Sequence, residues 1–481
     1  AADDPYRSIT ITGEGYGIQN ILVDSVINMT TDGKGTITVT SDRSLESNVS
    51  ANVTGIANAV DGTGTNPTLT VNNGAVIKVS ATAGTGAASQ SDVSAYATGV
   101  SVSKAANTKL DAVQVTATAA AGTRTTSIDT GSKDYDSYNQ CASATGISVN
   151  SAATLNASSA ALTVTATGGD TSANAKNSNA SATGINFTKG TATISGPVTL
   201  AITATGGNYL EGGQLVNAIA SAAGVTASNT SSQLTTGALT GTVTATGGKV
   251  KGSSIHNNYG DSTATAYGAE LASGAALEAA SVDLTVTATA GENGSDSGYD
   301  TYHPYAYALA YGLANGYIDA YKYWQDDSDV PTAGGTLKVT GAAVVKVAAA
   351  GGTSTSTDIK ADVTAYGLSN VNTYDYDSDV TSTLGSLDAT VSATGGTAAN
   401  TMKVNAYGLY NRGYSNPYIA SKISPKAVVD VTGTTTLNVS ATGGNTGDAA
   451  QTVTAYGIMN QADKNAATIT LDSLDATVTA T

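Results

Sequence analysis

The chain has 481 residues, enough for two or three ordinary domains, yet only 5% of them are aromatic and only 12% charged. One Phe (Phe187) and one Trp (Trp324) leave a wide globular core without fillers, so the composition suits a core one or two side chains across. With 21 Lys+Arg against 37 Asp+Glu the net charge is −16, and the four Arg (Arg7, Arg43, Arg124, Arg412) are scattered, which argues against nucleic acid or an anionic membrane surface as partner.

In chain order, residues 1–9 read as a leader or cap segment. They open Ala-Ala-Asp-Asp-Pro without Met, as expected after removal of a signal peptide. No apolar run approaches the ~18 residues that would span a bilayer. From there a Gly-aliphatic step, preceded in most units by Tyr or Thr, recurs at Gly17, Gly55, Gly99, Gly146, Gly184, Gly224, Gly268, Gly312, Gly367, Gly408 and Gly457. The ten intervals cover 440 residues, a mean period of 44, with individual values from 38 to 55. Such a period is the signature of a repeat architecture.

Each unit reads as three strand pieces. The first is typified by V-T-A-Y-G-L at Val363–Leu368, and the third by L-T-V-T-A-T-G-G at Leu162–Gly169. A less regular piece lies between them, as at Thr336–Val339 or Val428–Val431. The alternation of apolar and polar residues is that of half-buried strands, and Val, Thr and Ile suit a pleated surface. In the first piece Val363 and Ala365 face one side, and Thr364 and Tyr366 the other. Gly367 is expected to take a bend or bulge conformation that returns Leu368 to the interior. No sustained i, i+3, i+4 apolar stripe exists.

These observations predict an all-β fold, a single-stranded parallel β-helix (β-solenoid) of about eleven imperfect repeats over residues 1–481, with almost no helix. One rung per unit would give a core about 50 Å long, since parallel strands stack at about 4.8 Å; two rungs per unit would double it. Tyr/Asp-rich inserts fall mainly within 292–335, 371–382 and 410–426.

Stacked rungs align equivalent residues. Asn sits three positions after the repeat Gly in six units, at Asn20, Asn58, Asn315, Asn370, Asn411 and Asn460. These predict amide ladders along the axis. Tyr267, Tyr311, Tyr366, Tyr407 and Tyr456 predict five successive stacked, exposed rings.

Nineteen of the 24 Tyr lie at or beyond Tyr209, interleaved with Asp and Asn. Tyr offers a large, rigid contact area with a polar tip. Tyr317, Tyr321, Tyr323, Trp324, Tyr374, Tyr376, Tyr410 and Tyr414 are therefore the candidate contact surface. Among the acidic clusters, Asp326, Asp327 and Asp329, and Asp375, Asp377 and Asp379, are candidates for calcium. They lack the D-x-[DN]-x-[DN]-G spacing, and solvated loops are the simpler account of them. Otherwise no cofactor is expected. The two histidines, His256 and His303, stand in polar inserts, and Cys141 is alone, so neither a triad nor a disulfide framework is expected.

The V-T-A-Y-G-L/I and V-T-A-T-G-G segments, the Gly/Asn/Ser/Thr bias and the scarcity of Cys and basic residues resemble the passenger domains of bacterial autotransporters and related β-helical adhesins. The resemblance runs from about Ile9 onward. It implies a secreted protein at the bacterial cell surface that is not an enzyme. The expected partners are other copies of itself, or host or bacterial surface glycans and proteins.

Residues 1–481 include no C-terminal barrel of that pattern, and Thr481 falls inside a V-T-A-T segment, as expected either of a longer protein that has been trimmed or of a final rung left open. An open final rung would be an unsatisfied parallel edge, able to accept the first rung of another copy. The leading expectation is an adhesin-like rod displaying loops. The alternative is a subunit of a filament, sheath or surface layer, and a polysaccharide-active β-helix enzyme comes a distant third.

Overall fold

The computed structural model describes residues 8–21, 24–29, 35–59, 66–85, 92–124, 139–171, 174–209, 214–250, 261–294, 306–316, 334–354, 361–372, 379–397, 402–413, 426–446, 450–462 and 466–481. Among them are thirty strands and no helix, numbered in chain order from β1 (Ser8–Thr12) to β30 (Ala467–Ala480). All pairings in the two long sheets are parallel, as a β-solenoid requires. The smaller of these sheets holds eleven strands, one per unit, from β2 (Gly15–Ile21) to β29 (Gln451–Ala462). The larger carries twelve strands along its main path, from β1 to β30.

Each unit makes one rung. Equivalent positions of consecutive units are direct neighbours, as in Val363↔Val404, Tyr366↔Tyr407 and Asn370↔Asn411. The core is correspondingly narrow. Inward Ala, Val, Leu and Ile from the two sheets form one continuous cluster that runs from the first units to the last.

Three short strands per rung is the wrong division for most units. From Asn107–Ala120 onward, the second and third pieces fuse into single strands of 14 to 16 residues. The exception is the unit that keeps Thr191–Ile194 and Val198–Thr205 apart. At the junction two successive residues, such as Asp111 and Ala112, both face outward. The ladder also slips there, between Ala279 and Val282 or Val339 and Ala342. A bulge thus bends the strand without breaking it. In sequence that change of phase looks like a loop.

The repeat glycines hold a second difference. The facing does switch there, since Val363, Ala365, Leu368 and Asn370 are all buried. Yet these glycines do not adopt left-handed backbone. Space demands them instead. A Cβ at Gly312 would stand 2.5 Å from the Gly367 carbonyl oxygen and 3.0 Å from both Val345 and Val347.

The Gly-Gly after the third piece closes the rung. Gly207 donates its N–H to Ser178 O at 3.0 Å, and Gly248 to Ala218 O at 3.1 Å. The start and end of one turn are thereby pinched together at the corner.

Candidate functional site

Four groups of residues stand out once the rungs are stacked: two amide ladders, a column of phenols and the two end rungs.

The first amide ladder occupies the corner that follows the repeat glycine. Asn315 Nδ2 donates to Asn370 Oδ1 at 3.0 Å, Asn370 to Asn411 at 2.8 Å, and Asn411 to Asn460 at 2.9 Å. Asn20 donates to Asn58 at 3.0 Å in the first two rungs. The amides also tie the corner to the facing strand. Asn315 accepts from Gly335 N at 2.7 Å, and Asn370 accepts from the Ser382 hydroxyl at 2.8 Å. Asn58, Asn315, Asn370 and Asn411 are buried, and these bonds meet the requirement that buried amides be satisfied. In the five rungs between, the same inward column is apolar: Val102, Val149, Phe187, Ala227 and Leu271.

A second ladder was not anticipated. Asn177 donates to Asn139 at 2.6 Å, and Asn217 to Asn177 at 2.7 Å. These lie seven residues before the repeat glycines Gly146, Gly184 and Gly224, with Asp92 and Asp261 at the same offset in the flanking units. The fixed offset was legible; attention to the residues after the glycine hid it.

The phenol column forms with ring centroids 4.9, 4.7, 4.8 and 5.4 Å apart from Tyr267 through Tyr311, Tyr366 and Tyr407 to Tyr456, and planes within 13° of parallel. It is not an exposed stack. Tyr267 is 9% and Tyr311 only 2% exposed, and only Tyr456, on the last rung, opens to 41%. Leu309, Ala314 and Tyr307 help cover the column. Tyr410, expected on a contact surface, is instead 5% exposed and stands edge-on to Tyr366 and Tyr407 at 5.5 and 5.4 Å. Its position three residues past the ladder tyrosine folds it back onto the flank. Burial, reinforced by neighbouring phenols, pushes the Tyr366 hydroxyl well above the usual tyrosine range. The Tyr407 hydroxyl is pushed up to about 12, chiefly by burial and then by Tyr410 and Tyr456.

The other candidates fare differently. Asp379 is exposed and accepts a hydrogen bond from Lys426 N at 2.8 Å, a bond between successive rungs. Asp326, Asp327, Asp329, Asp375, Asp377, Tyr317, Tyr321, Tyr323, Trp324, Tyr374, Tyr376, Tyr414, His256 and His303 lie outside the described residues. Among the described residues no group of three or more metal-ligating side chains converges, and no helix is long and apolar enough to cross a membrane. Ser262 is buried, with its hydroxyl committed to Gly248 O at 2.5 Å, so it offers no nucleophile. Cys141 is half-buried, and burial pushes its thiol up, away from the reactive thiolate.

The end rungs carry the remaining feature. Among the described residues, six of the eight exposed large apolar side chains sit there: Tyr16, Ile21 and Val26 on the first, and Tyr456, Leu474 and Val478 on the last. Ile9, Ile11, Ile18 and Ile27 at one end, and Val453, Ile458, Ile469 and Leu471 at the other, continue the core but are only partly covered. The two faces bear the same motif. Tyr16-Gly17-Ile18-Gln19-Asn20 and Tyr456-Gly457-Ile458-Met459-Asn460 occupy equivalent positions of β2 and β29.

Comparison of the chain with protein-family models, with curated proteins and with solved structures returns no match.

Proposed function

We propose that this chain is a non-enzymatic structural rod of the bacterial exterior, which joins end to end with further copies into a filament. The observation that carries the reading is the correspondence of the end rungs. Tyr-Gly-Ile-x-Asn stands at both ends, while the five rungs between Asn58 and Asn315 lack the ladder Asn.

The corner amides have a direction that suits such a joint. In the corner ladder Asn20, Asn315, Asn370 and Asn411 donate toward the C-terminal end of the stack, while Asn177 and Asn217 of the second ladder donate the other way. Asn411 Nδ2 faces Ala427 O in its own corner, Thr468 O and the next amide, and Asn460 repeats the corner bond by donating to Ala467 O at 3.1 Å. At the other end Asn20 Oδ1 accepts from the Ser25 hydroxyl at 2.8 Å. A head-to-tail joint of this kind is heterologous and does not close on itself, so it propagates. An extracellular address accords with the resemblance to autotransporter passengers.

Purified chain imaged by negative stain, with sedimentation over a concentration series, tests the reading. Filaments with an axial repeat of about 50 Å are expected from eleven rungs at parallel-strand spacing. Single rods of that length at every concentration would refute it.

A further inference from the structure

Among the described residues the larger sheet has one level more than the smaller. Eleven strands of the smaller sheet alternate with twelve levels of the larger, because β1 precedes the first complete rung. By register β1 belongs to the end of a preceding unit. Ile9 and Ile11 lie on Ile37 and Val39 of β4 (Thr36–Asp42), and their columns lead through the stack to Ala476 and Val478 of β30. The local sequences match in pattern, Ser8-Ile9-Thr10-Ile11-Thr12 against Asp475-Ala476-Thr477-Val478-Thr479. When β2 of one copy is placed on β29 of another, β1 and that copy's β30 claim the same level.

We infer that β1 is a built-in stand-in for the β30 strand of another copy, and that end-to-end joining proceeds by its displacement. The inference rests on the filament reading above and supplies its mechanism. With β1 docked, the edge of β4 is paired and the first rung is protected from casual edge-to-edge pairing. With β1 released, β4 takes the incoming β30. Ile37 and Val39 then lie on Ala476 and Val478, and β3 (Ser25–Asn28) meets the first half of β30 through Ser25 on Ile469 and Ile27 on Leu471. Tyr16 meets Tyr456, and Asn20 meets Asn460.

β1 is suited to leaving. It is five residues long, pairs with β4 alone among the described residues, and its isoleucines are half-buried where their successors Ile37 and Val39 are fully buried. The strand that replaces it belongs to a continuous 14-residue element, so the exchange gains pairing length.

Cysteine pairs in a Cys141→Ser background test this directly. Thr10 and Thr38 are register partners, so Thr10→Cys with Thr38→Cys can be bridged within the Cα separation a disulfide requires. The oxidised chain should remain single rods, and the reduced chain should assemble. Thr38→Cys with Thr477→Cys should give, on oxidation, a covalent ladder of oligomers. Ile9→Asp with Ile11→Asp, which loosens β1 in the full chain, should speed assembly about tenfold.

Assembly of the locked chain at the rate of the reduced one would overturn the strand exchange while leaving the filament reading intact, as would a slower Ile9→Asp/Ile11→Asp variant. Absence of assembly in every variant, with β-sheet circular dichroism retained, would sink the filament reading and this inference together.

Discussion

The five rungs carrying Val102, Val149, Phe187, Ala227 and Leu271 and the four carrying Asn315, Asn370, Asn411 and Asn460 fill one inward column in opposite ways. In the first region the corner is held by apolar burial, and Thr98, Thr145 and Thr183 stand where the second region places its stacked phenols. Both regions keep the same register and spacing, so neither the amides nor the rings are needed to form a rung. Polar ladders add register. An apolar column tolerates a slipped neighbour, whereas a buried amide bonded to its counterpart on the next rung loses that bond when the register slips. The ladder Asn occurs in the rungs at both ends of the stack and is absent from the middle.

The largest expected effect tests the apolar region. Phe187→Ala removes the bulkiest side chain of that column and should cost about 3–5 kcal/mol, read as loss of amide-exchange protection in the adjoining rungs. A cost matching an exposed substitution would mean that the column does not hold the corner. In the polar region, Asn370→Ala takes the acceptor from the Ser382 hydroxyl and the donor from Asn411 Oδ1, while Asn315 keeps its bonds to Gly335 O and Thr381 O, at about 1–3 kcal/mol. Asn370→Val combined with Asn411→Val should cost less than the sum of the two single changes, because the pair then resembles the apolar rungs. Strict additivity would argue that the two amides act independently.

The phenol column, which begins at Tyr267 on the Leu271 rung, separates Tyr-bearing from Thr-bearing rungs by pH. A phenol whose folded pKa is raised supports the fold fully below its ordinary value near 10. That support is lost as the pH climbs through the folded value, which for Tyr407 is about 12. The Tyr-bearing rungs should therefore lose exchange protection between about pH 10 and 12 before the Thr-bearing rungs do. Tyr366→Phe with Tyr407→Phe should remove that difference; its persistence would locate the alkaline weakness elsewhere. The smallest effect is the exposed Lys338–Glu278 pair, 2.6 Å apart. Lys338→Ala should change stability by less than about 0.5 kcal/mol in a thermal melt.

Much of this architecture was legible because a solenoid is nearly one-dimensional. Each residue's axial neighbours lie about one period away, so a repeat of 44 residues writes the contacts of Asn370 or Tyr366 directly into the sequence. Alternation identified the inward set, and the column of ladder residues followed from position alone. The contact inserts were a guess from composition, and most of their residues lie outside those described.

Sequence by itself determined the parallel stacking of the repeats and the order of residues along each column, since those depend only on periodicity and facing; the structure decided that each unit makes one rung. Tertiary structure decided what lies across the rung and around it. A bulge can replace a loop between the second and third pieces, because a ladder absorbs one extra residue without ending. Tyr410 turns onto the ring column and closes it from water, which no periodicity reveals. Steric contact with the next rung, rather than backbone freedom, reserves the repeat position for glycine. The surplus strand β1 emerges only when the levels of the two sheets are set side by side, because its role is defined by what it displaces.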